Sequence, residues 1–281
     1  MKKDSDMKIG IVGLGLIGGS LARALTDGGH EVYGLDRNRS SLLAAKMVGA
    51  IEGELNGETI GSLDMIFIAL YPKATVEFVE ENAAKIKKGA IVADCGGVKR
   101  PICAPCEKLA EENGFTFIGA HPMAGTQFSG FNASRGNLFK NATMIVTPKE
   151  NTDIRILEKL RNVLNDAGFG SINFTTPEEH DKVIAFTSQL PHIISNAYVK
   201  SRTAVRQKGF SAGSYRDLTR VSKLNEAMWT ELFFENKDNL CAEIDFLVER
   251  LSEYSAALKA DDKDGLVALL KEGTDSKKQA K

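Results

Sequence analysis

A chain of 281 residues is long enough for one large or two ordinary domains and for a sizeable core. Hydrophobic residues make up 43% and charged residues 26%, an ordinary soluble composition. A formal net charge of −1 gives no field to draw in nucleic acid or an anionic membrane. The longest apolar runs are strand-length, so no transmembrane helix is expected. The polar start from Met1 to Asp6 lacks the apolar stretch of a signal peptide, and cytoplasm is the expected compartment.

Residues 8–13 form an apolar, β-branched run ending at glycine, which reads as a buried strand. Residues 16–26 have helical spacing. Residues 30–36 read as the next strand and 40–48 as the next helix. Further strands are expected at 64–70, 90–94, 115–120 and 142–147, with helices at 75–86 and 101–113 between them. One more helix at 152–167 and one more strand at 171–175 complete the alternation. Such alternation predicts an α/β fold, a mostly parallel, doubly wound sheet of Rossmann type covered on both faces. Near Thr176-Pro177 the pattern changes, and only helical periodicity follows. Val183, Ile184, Leu190, Ile193, Ile194 and Ala197 mark a long first helix, and a glycine- and serine-bearing break lies at 209–214. Long patterns then run through Leu232, Leu240, Ile244, Leu247 and Leu251, and over 266–270. The expected organisation is a nucleotide-binding domain over 1–176 and an all-helical domain over 177–281, which buries apolar surface against a second subunit.

The first chemical motif, Gly13-Leu14-Gly15-Leu16-Ile17-Gly18, joins the first strand to the first helix. Gly13 allows the tight turn, Gly15 lets backbone approach a pyrophosphate, and Gly18 lets helix and strand pack closely. The helix start at Leu16 and Ile17 supplies free N–H groups for phosphates. Asp36 ends the second strand, about twenty residues on, where a carboxylate binds ribose hydroxyls and disfavours a 2′-phosphate. NAD is therefore expected; Arg37 and Arg39 lie close enough to keep NADP as the alternative.

The second motif is Gly119-Ala120-His121-Pro122-Met123-Ala124-Gly125-Thr126. It places a histidine at the carboxyl end of a strand, where ligands gather in open α/β sheets. A neutral imidazole there can take a proton from a substrate hydroxyl while hydride leaves the same carbon. If the ring is unperturbed, turnover should fall as pH drops through about 6.5. Asp181, Ser188 and His192 follow at intervals that put them within roughly 20° of one line on an ideal helix. Pro191 must bend or open that helix. On spacing alone this stripe reads as solvated surface at least as readily as a cleft lining. Arg220 can fork onto a carboxylate or pair with Asp217. Cys103 and Cys106 form a Cys-x-x-Cys pair without a second pair, so packing is favoured over a metal or redox site.

The ordered set of the Gly13 motif with Gly19-Ser20, Asp94-Cys95-Gly96-Gly97-Val98-Lys99, the His121 run, His180-Asp181-Lys182, Ser188-Gln189-Leu190-Pro191-His192, Arg216-Asp217-Leu218-Thr219-Arg220, Met228-Trp229 and Glu235-Asn236-Lys237 resembles the prephenate/arogenate dehydrogenases of tyrosine biosynthesis. The resemblance runs from about residue 8 to 251. It implies NAD-dependent oxidative decarboxylation of prephenate to 4-hydroxyphenylpyruvate. It also implies that His121 accepts the hydrogen bond of the ring hydroxyl, that Arg220 binds a substrate carboxylate, and that Thr126, His192, Arg216 and Trp229 line the pocket of a homodimer. The fused chorismate mutase or C-terminal ACT domain of some members is not expected here.

Two departures stand out. Many members carry a serine where this chain has Gly97, in contact with substrate hydroxyl and nicotinamide. Some carry a carboxylate after the threonine, able to pair with the ammonium of arogenate; here it is Gln127, which offers that cation no Coulombic gain. The expected substrate is prephenate. Arogenate oxidation and a non-catalytic NAD-binding sensor are the alternatives.

Overall fold

The computed structural model describes residues 7–126 and 128–279. The apolar runs of the first half become strands β1 (Lys8–Val12), β2 (Glu31–Leu35), β3 (Gly53–Glu54), β4 (Met65–Ile68), β5 (Ile91–Asp94), β6 (Thr116–Pro122), β7 (Thr143–Thr147) and β8 (Ser171–Phe174). They form one sheet in the order β3-β2-β1-β4-β5-β6-β7-β8. Winding reverses between β1 and β4, so the Gly13 turn opens at the topological switch point, where such sheets bind ligands.

All neighbours pair in parallel except β6 and β7. The exception follows from the connection. A parallel return needs a crossover, usually a helix, whereas residues 123–142 hold only the short turn Phe131–Ala133. The β7 to β8 step regains the parallel sense through α5 (Ile154–Asp166).

The strands alternate residues between two cores, as a period of two demands. Met65, Phe67, Ile91, Ala93, Ile118 and Ala120 join one cluster, while Ile66, Ile68, Val92 and Phe117 join the other. Both faces are covered by α1 (Leu16–Asp27), α2 (Arg39–Met47), α3 (Pro72–Asn82), α4 (Arg100–Asn113) and α5. Helix α3 starts three residues before the expected 75, because Pro72 is preorganised for the first helical position. It ends at Asn82, with a 3-10 turn over Ala83–Lys85 where helix had been expected to 86. The two-residue β3 is too short to show periodicity and was not expected.

From Pro177 onward the described chain is helices and turns. The expected long helix is broken into α6 (Pro177–Ile184), a π-helical turn (Ala185–Gln189) and α7 (Leu190–Tyr198). Pro191 has no N–H for the preceding turn and its ring crowds the carbonyl four residues back, so that turn widens. The wider turn also breaks the ideal-helix phase. Asp181 is fully buried instead of solvated, whereas Ser188 and His192 are half-buried. Helices α8 (Gly213–Thr219), α9 (Glu226–Glu235), α10 (Lys237–Lys259) and α11 (Lys263–Gln279) follow. Among the described residues no helix is long and apolar enough to cross a membrane.

Candidate active site

At the switch point, Gly13 has φ +88°, and a Cβ there would lie 2.5 Å from the Ala69 carbonyl oxygen. A Cβ on Gly18 would meet the Gly13 carbonyl oxygen at 1.8 Å, so α1 packs on the turn only because that residue is glycine. A Cβ on Gly15, by contrast, would meet nothing within 4 Å. No side chain caps α1, and the first N–H groups of a helix lack intrahelical acceptors. Open space beside uncapped N–H groups at Leu16 and Ile17 fits an anionic group such as a pyrophosphate. Asp36 is fixed beside it: its Oδ2 accepts the Leu14 N–H at 2.7 Å and its Oδ1 the Asn38 N–H at 2.7 Å. Arg37 is exposed next to it, whereas the Arg39 guanidinium is bound to Glu54 at 2.9 Å.

Strand β5 ends at Asp94, but β6 continues to Pro122. Past Ile118, β6 therefore has no β5 backbone to pair with. Side chains take over. Asp94 Oδ1 accepts the Ala120 N–H at 3.0 Å, and Lys99 Nζ donates to the Ala120 carbonyl at 2.7 Å. Lys99 Nζ also bonds Asp94 Oδ2 directly, and both side chains are fully buried. The lysine reaches in across Gly119, where a Cβ would lie 3.2 Å from Lys99 Cδ and 2.2 Å from Thr147 Oγ1. A buried ion pair thus clamps both polar groups of the residue before His121.

His121 presents its Nδ1 edge inward, 2.9 Å from Nε2 of the buried His180. His180 Nδ1 lies 2.7 Å from Asp181 Oδ1. Asp181 in turn accepts the backbone N–H groups of Lys99 (2.7 Å) and Arg100 (2.9 Å), with Arg100 Nε at 3.3 Å. Arg100 continues to Asp238 of α10 at 2.6 and 2.8 Å and to Asn236 Oδ1 at 2.9 Å. Asn236 donates to the Asp181 carbonyl at 2.8 Å. The network runs from β6 through α6 to the start of α10.

Burial holds the His121 pKa well below 6.5, helped by His180 and the Lys99 cation. His180 is lowered too: burial outweighs the pull of Asp181. Burial would raise the Asp181 carboxyl, but the bonds from His180, Arg100 and Lys99 leave it below 3.8. The midpoint near 6.5 expected for an unperturbed ring is thereby corrected. A base with a lowered pKa stays neutral further into acid, so the acid limb of kcat/KM should fall below pH 6.5. A pH series of kcat/KM checks this, and a midpoint at or above 6.5 would contradict it.

His192 lies on α7, its Nδ1 donating to the Ser188 carbonyl at 2.7 Å. Burial lowers its pKa, and Arg220 adds to the effect while the Ser188 bond opposes it. The Trp229 ring of the same chain packs on it, centroids 4.1 Å apart. Arg216 and Arg220 are exposed, and among the described residues neither forms an ion pair, with Asp217 or any other. Thr126, in the loop after β6, accepts the Phe128 N–H at 3.2 Å. Gln127 lies outside the described residues. Cys103 and Cys106 are buried on α4, and burial pushes both thiols up to about 12, so both are protonated and unreactive near neutrality.

Residues 21–173 match the family described as prephenate dehydrogenase, nucleotide-binding domain, and residues 176–272 the prephenate dehydrogenase dimerization domain. The chain belongs to the prephenate dehydrogenase family. It is 30% identical over 275 residues to the prephenate dehydrogenase of Bacillus subtilis, covering 94% of this chain and 74% of that one. Its fold superposes on prephenate dehydrogenase from A. aeolicus, solved with hydroxyphenyl propionate and NAD+, with a TM-score of 0.85, 29% identity and 98% of each chain covered. Synechocystis arogenate dehydrogenase gives a TM-score of 0.83 at 29% identity, covering 98% of this chain and 100% of that one.

A Cβ at position 97 would stand 3.3 Å from Leu232 Cδ2, so a leucine tip from α9 closely approaches Gly97. Leu232 and Trp229 are three residues apart on α9 and project from one side of it. One helix thereby touches both Gly97 and His192. The Leu232 carbonyl is held by Gln189 Nε2 at 3.1 Å, and Gln189 Oε1 by Asn236 at 2.9 Å.

Reading residue types in isolation missed Asp94, Lys99, His180 and Asn236 as supports of the site. The available signal was local. A lysine five residues after an aspartate at a strand end, and a His-Asp pair opening a helix, are polar groups at positions the sheet must bury.

Proposed function

We propose that this chain catalyses the oxidative decarboxylation of prephenate with NAD, giving 4-hydroxyphenylpyruvate, CO2 and NADH. The observation that carries it is a histidine with a lowered pKa at the carboxyl end of β6, in a chain whose two segments match one dehydrogenase family. Gly13, Gly15, Leu16, Ile17, Gly18, Asp36, Arg37 and Gly97 would hold NAD, which would supply the acceptor for the hydride of the hydroxyl-bearing ring carbon. His121 takes the hydroxyl proton. The bond to the ring carboxylate breaks, CO2 leaves, and its electron pair completes the aromatic ring. The oxygen can then recover a proton from His121. Arg220 binds a substrate carboxylate, and Thr126, Gln127, His192, Arg216 and Trp229 line the pocket. The neutral amide at 127 favours prephenate over arogenate, whose ammonium would find no counter-charge there.

The domain division at 176/177 is supported by the end of β8 at Phe174 and the start of α6 at Pro177. A homodimer through the helical segment, working in the cytoplasm, is the proposed form. Val205 and Phe210, 89% and 92% exposed, and Phe234, Leu251 and Leu258 leave that segment with apolar surface that a single chain does not cover.

The test is the initial rate of NADH formation with prephenate, beside arogenate and with NADP replacing NAD. Turnover with prephenate and NAD supports the proposal. Turnover with arogenate alone overturns the substrate assignment, and NAD binding without turnover of either favours a sensor. Arg220→Ala should raise KM for prephenate roughly 10- to 100-fold, the worth of hydrogen bonds to a charged group, with NAD affinity unchanged. Equal loss of both would make Arg220 structural.

A further inference from the structure

We propose that His180 and Asp181 lock His121 in the tautomer with its proton on Nδ1, leaving Nε2 as the base, and receive the positive charge when that nitrogen is protonated. This rests on the reading of His121 as the base. His180 is a positioning residue that does not itself touch substrate.

The proton assignment follows by elimination from the fixed end. Asp181 Oδ1 receives the Lys99 N–H and Oδ2 the Arg100 N–H, with Arg100 Nε behind. Surrounded by donors and next to a guanidinium, it is an anion that only accepts. His180 Nδ1, 2.7 Å from Oδ1, must therefore carry hydrogen. A neutral ring with Nδ1–H has a bare Nε2, which accepts. His121 Nδ1, 2.9 Å away, must then donate. A neutral ring that donates from Nδ1 has its lone pair on Nε2.

The alternative is a cationic His180 donating at both nitrogens, which would leave His121 with hydrogen on Nε2 and no base. Charges facing the pair include Asp94 and Lys99, already joined to each other, and Arg100, shared between Asp181 and Asp238 of α10. Burial and the Lys99 cation work against protonating His180 at rest, consistent with its lowered pKa.

During turnover one proton enters at His121 Nε2. The Nδ1 proton can move to His180 Nε2, so the charge comes to rest on a ring 2.7 Å from a carboxylate. The pair then holds the one proton taken from the substrate hydroxyl, and returning it to the product oxygen by the reverse path restores the starting tautomers.

Asp181→Asn tests the lock, because an amide must present one NH2 group. At the Oδ2 position NH2 would oppose two donors from Arg100; at Oδ1 it opposes only the Lys99 N–H. It therefore settles toward His180, forcing that ring to accept at Nδ1 and donate at Nε2. His121 must then accept at Nδ1 and place its proton on Nε2. The chain has four histidines, so imidazole nitrogen resonances can be assigned. In 15N NMR of the full-length protein, the wild type should show His121 as Nδ1–H and Asp181→Asn should show it as Nε2–H. The kcat of that variant should fall on the order of 10²- to 10⁴-fold, the scale of losing a correctly poised base. His180→Gln offers an amide oxygen in place of Nε2. It should keep the His121 tautomer and more activity than His180→Leu.

His121 carrying its proton on Nε2 in the wild type overturns the proposal. So does an Asp181→Asn enzyme with unchanged tautomers and kcat within about threefold of wild type. Failure of the underlying functional reading would look different: His121→Asn would retain full turnover whatever the tautomers.

Discussion

Replacing His121 with asparagine should lower kcat for prephenate by about 10²- to 10⁴-fold, the usual contribution of general base catalysis, and leave NAD affinity unchanged. The argument is one of protonation and geometry. Asparagine keeps a polar group near the Nδ1 position, so the contact to His180 has a substitute. It has nothing at the Nε2 position and cannot take up a proton near neutral pH. The NAD-binding residues proposed at the Gly13 turn and Asp36 are held by contacts of their own, which the substitution leaves in place. Initial rates of NADH formation give kcat, and fluorescence titration gives NAD affinity. A kcat within about threefold of wild type would remove His121 from the chemistry.

Lys99→Met should destabilise the protein by about 3–5 kcal/mol, the range found when one partner of a buried ion pair is removed. Methionine roughly fills the aliphatic volume, so the loss is electrostatic. Asp94 would remain fully buried without its cation, and the Ala120 carbonyl would lose its donor. Adding Asp94→Asn should recover part of the loss. The amide oxygen still accepts the Ala120 N–H, and the orphaned charge is gone. Urea unfolding of wild type, both single variants and the double variant yields the coupling. A Lys99→Met loss below about 1 kcal/mol would mean that water reaches the pair and that the clamp on Ala120 is weak.

Much of this molecule was legible along the chain. The strand–glycine–helix fingerprint, Asp36 and the change of period at Thr176-Pro177 rest on local rules: hydrophobic period, helix starts and the sterics of a tight turn. The break at Pro191 was legible as well, since a proline inside a helical pattern must disturb the turn before it. Its consequence was not. Whether that turn bends or widens depends on packing, and along the helix that formed Asp181 is fully buried while Ser188 and His192 are half-buried.

The antiparallel β7 was equally hidden, because strand direction depends on how a twenty-residue connection crosses the sheet and not on the apolar pattern of the strand. The proposed pocket residues Thr126, His192, Arg216, Arg220 and Trp229 were visible as types. Only the His192–Trp229 stacking and the approach of Leu232 to Gly97 show how α9 joins two parts of the site.

By itself the sequence determined the α/β class, the glycine turn with Asp36 beyond it, the all-helical second segment and His121 as the candidate base. These are short-range properties, written in neighbouring residues. The tertiary structure alone decided what surrounds that histidine. Asp94 and Lys99 meet at the end of β5, and His180 and Asp181 arrive from a helix some sixty residues further along. Pairing, burial and hence the lowered pKa of His121 arise from groups distant in sequence, whose encounter is set by the packing of α6 against α4.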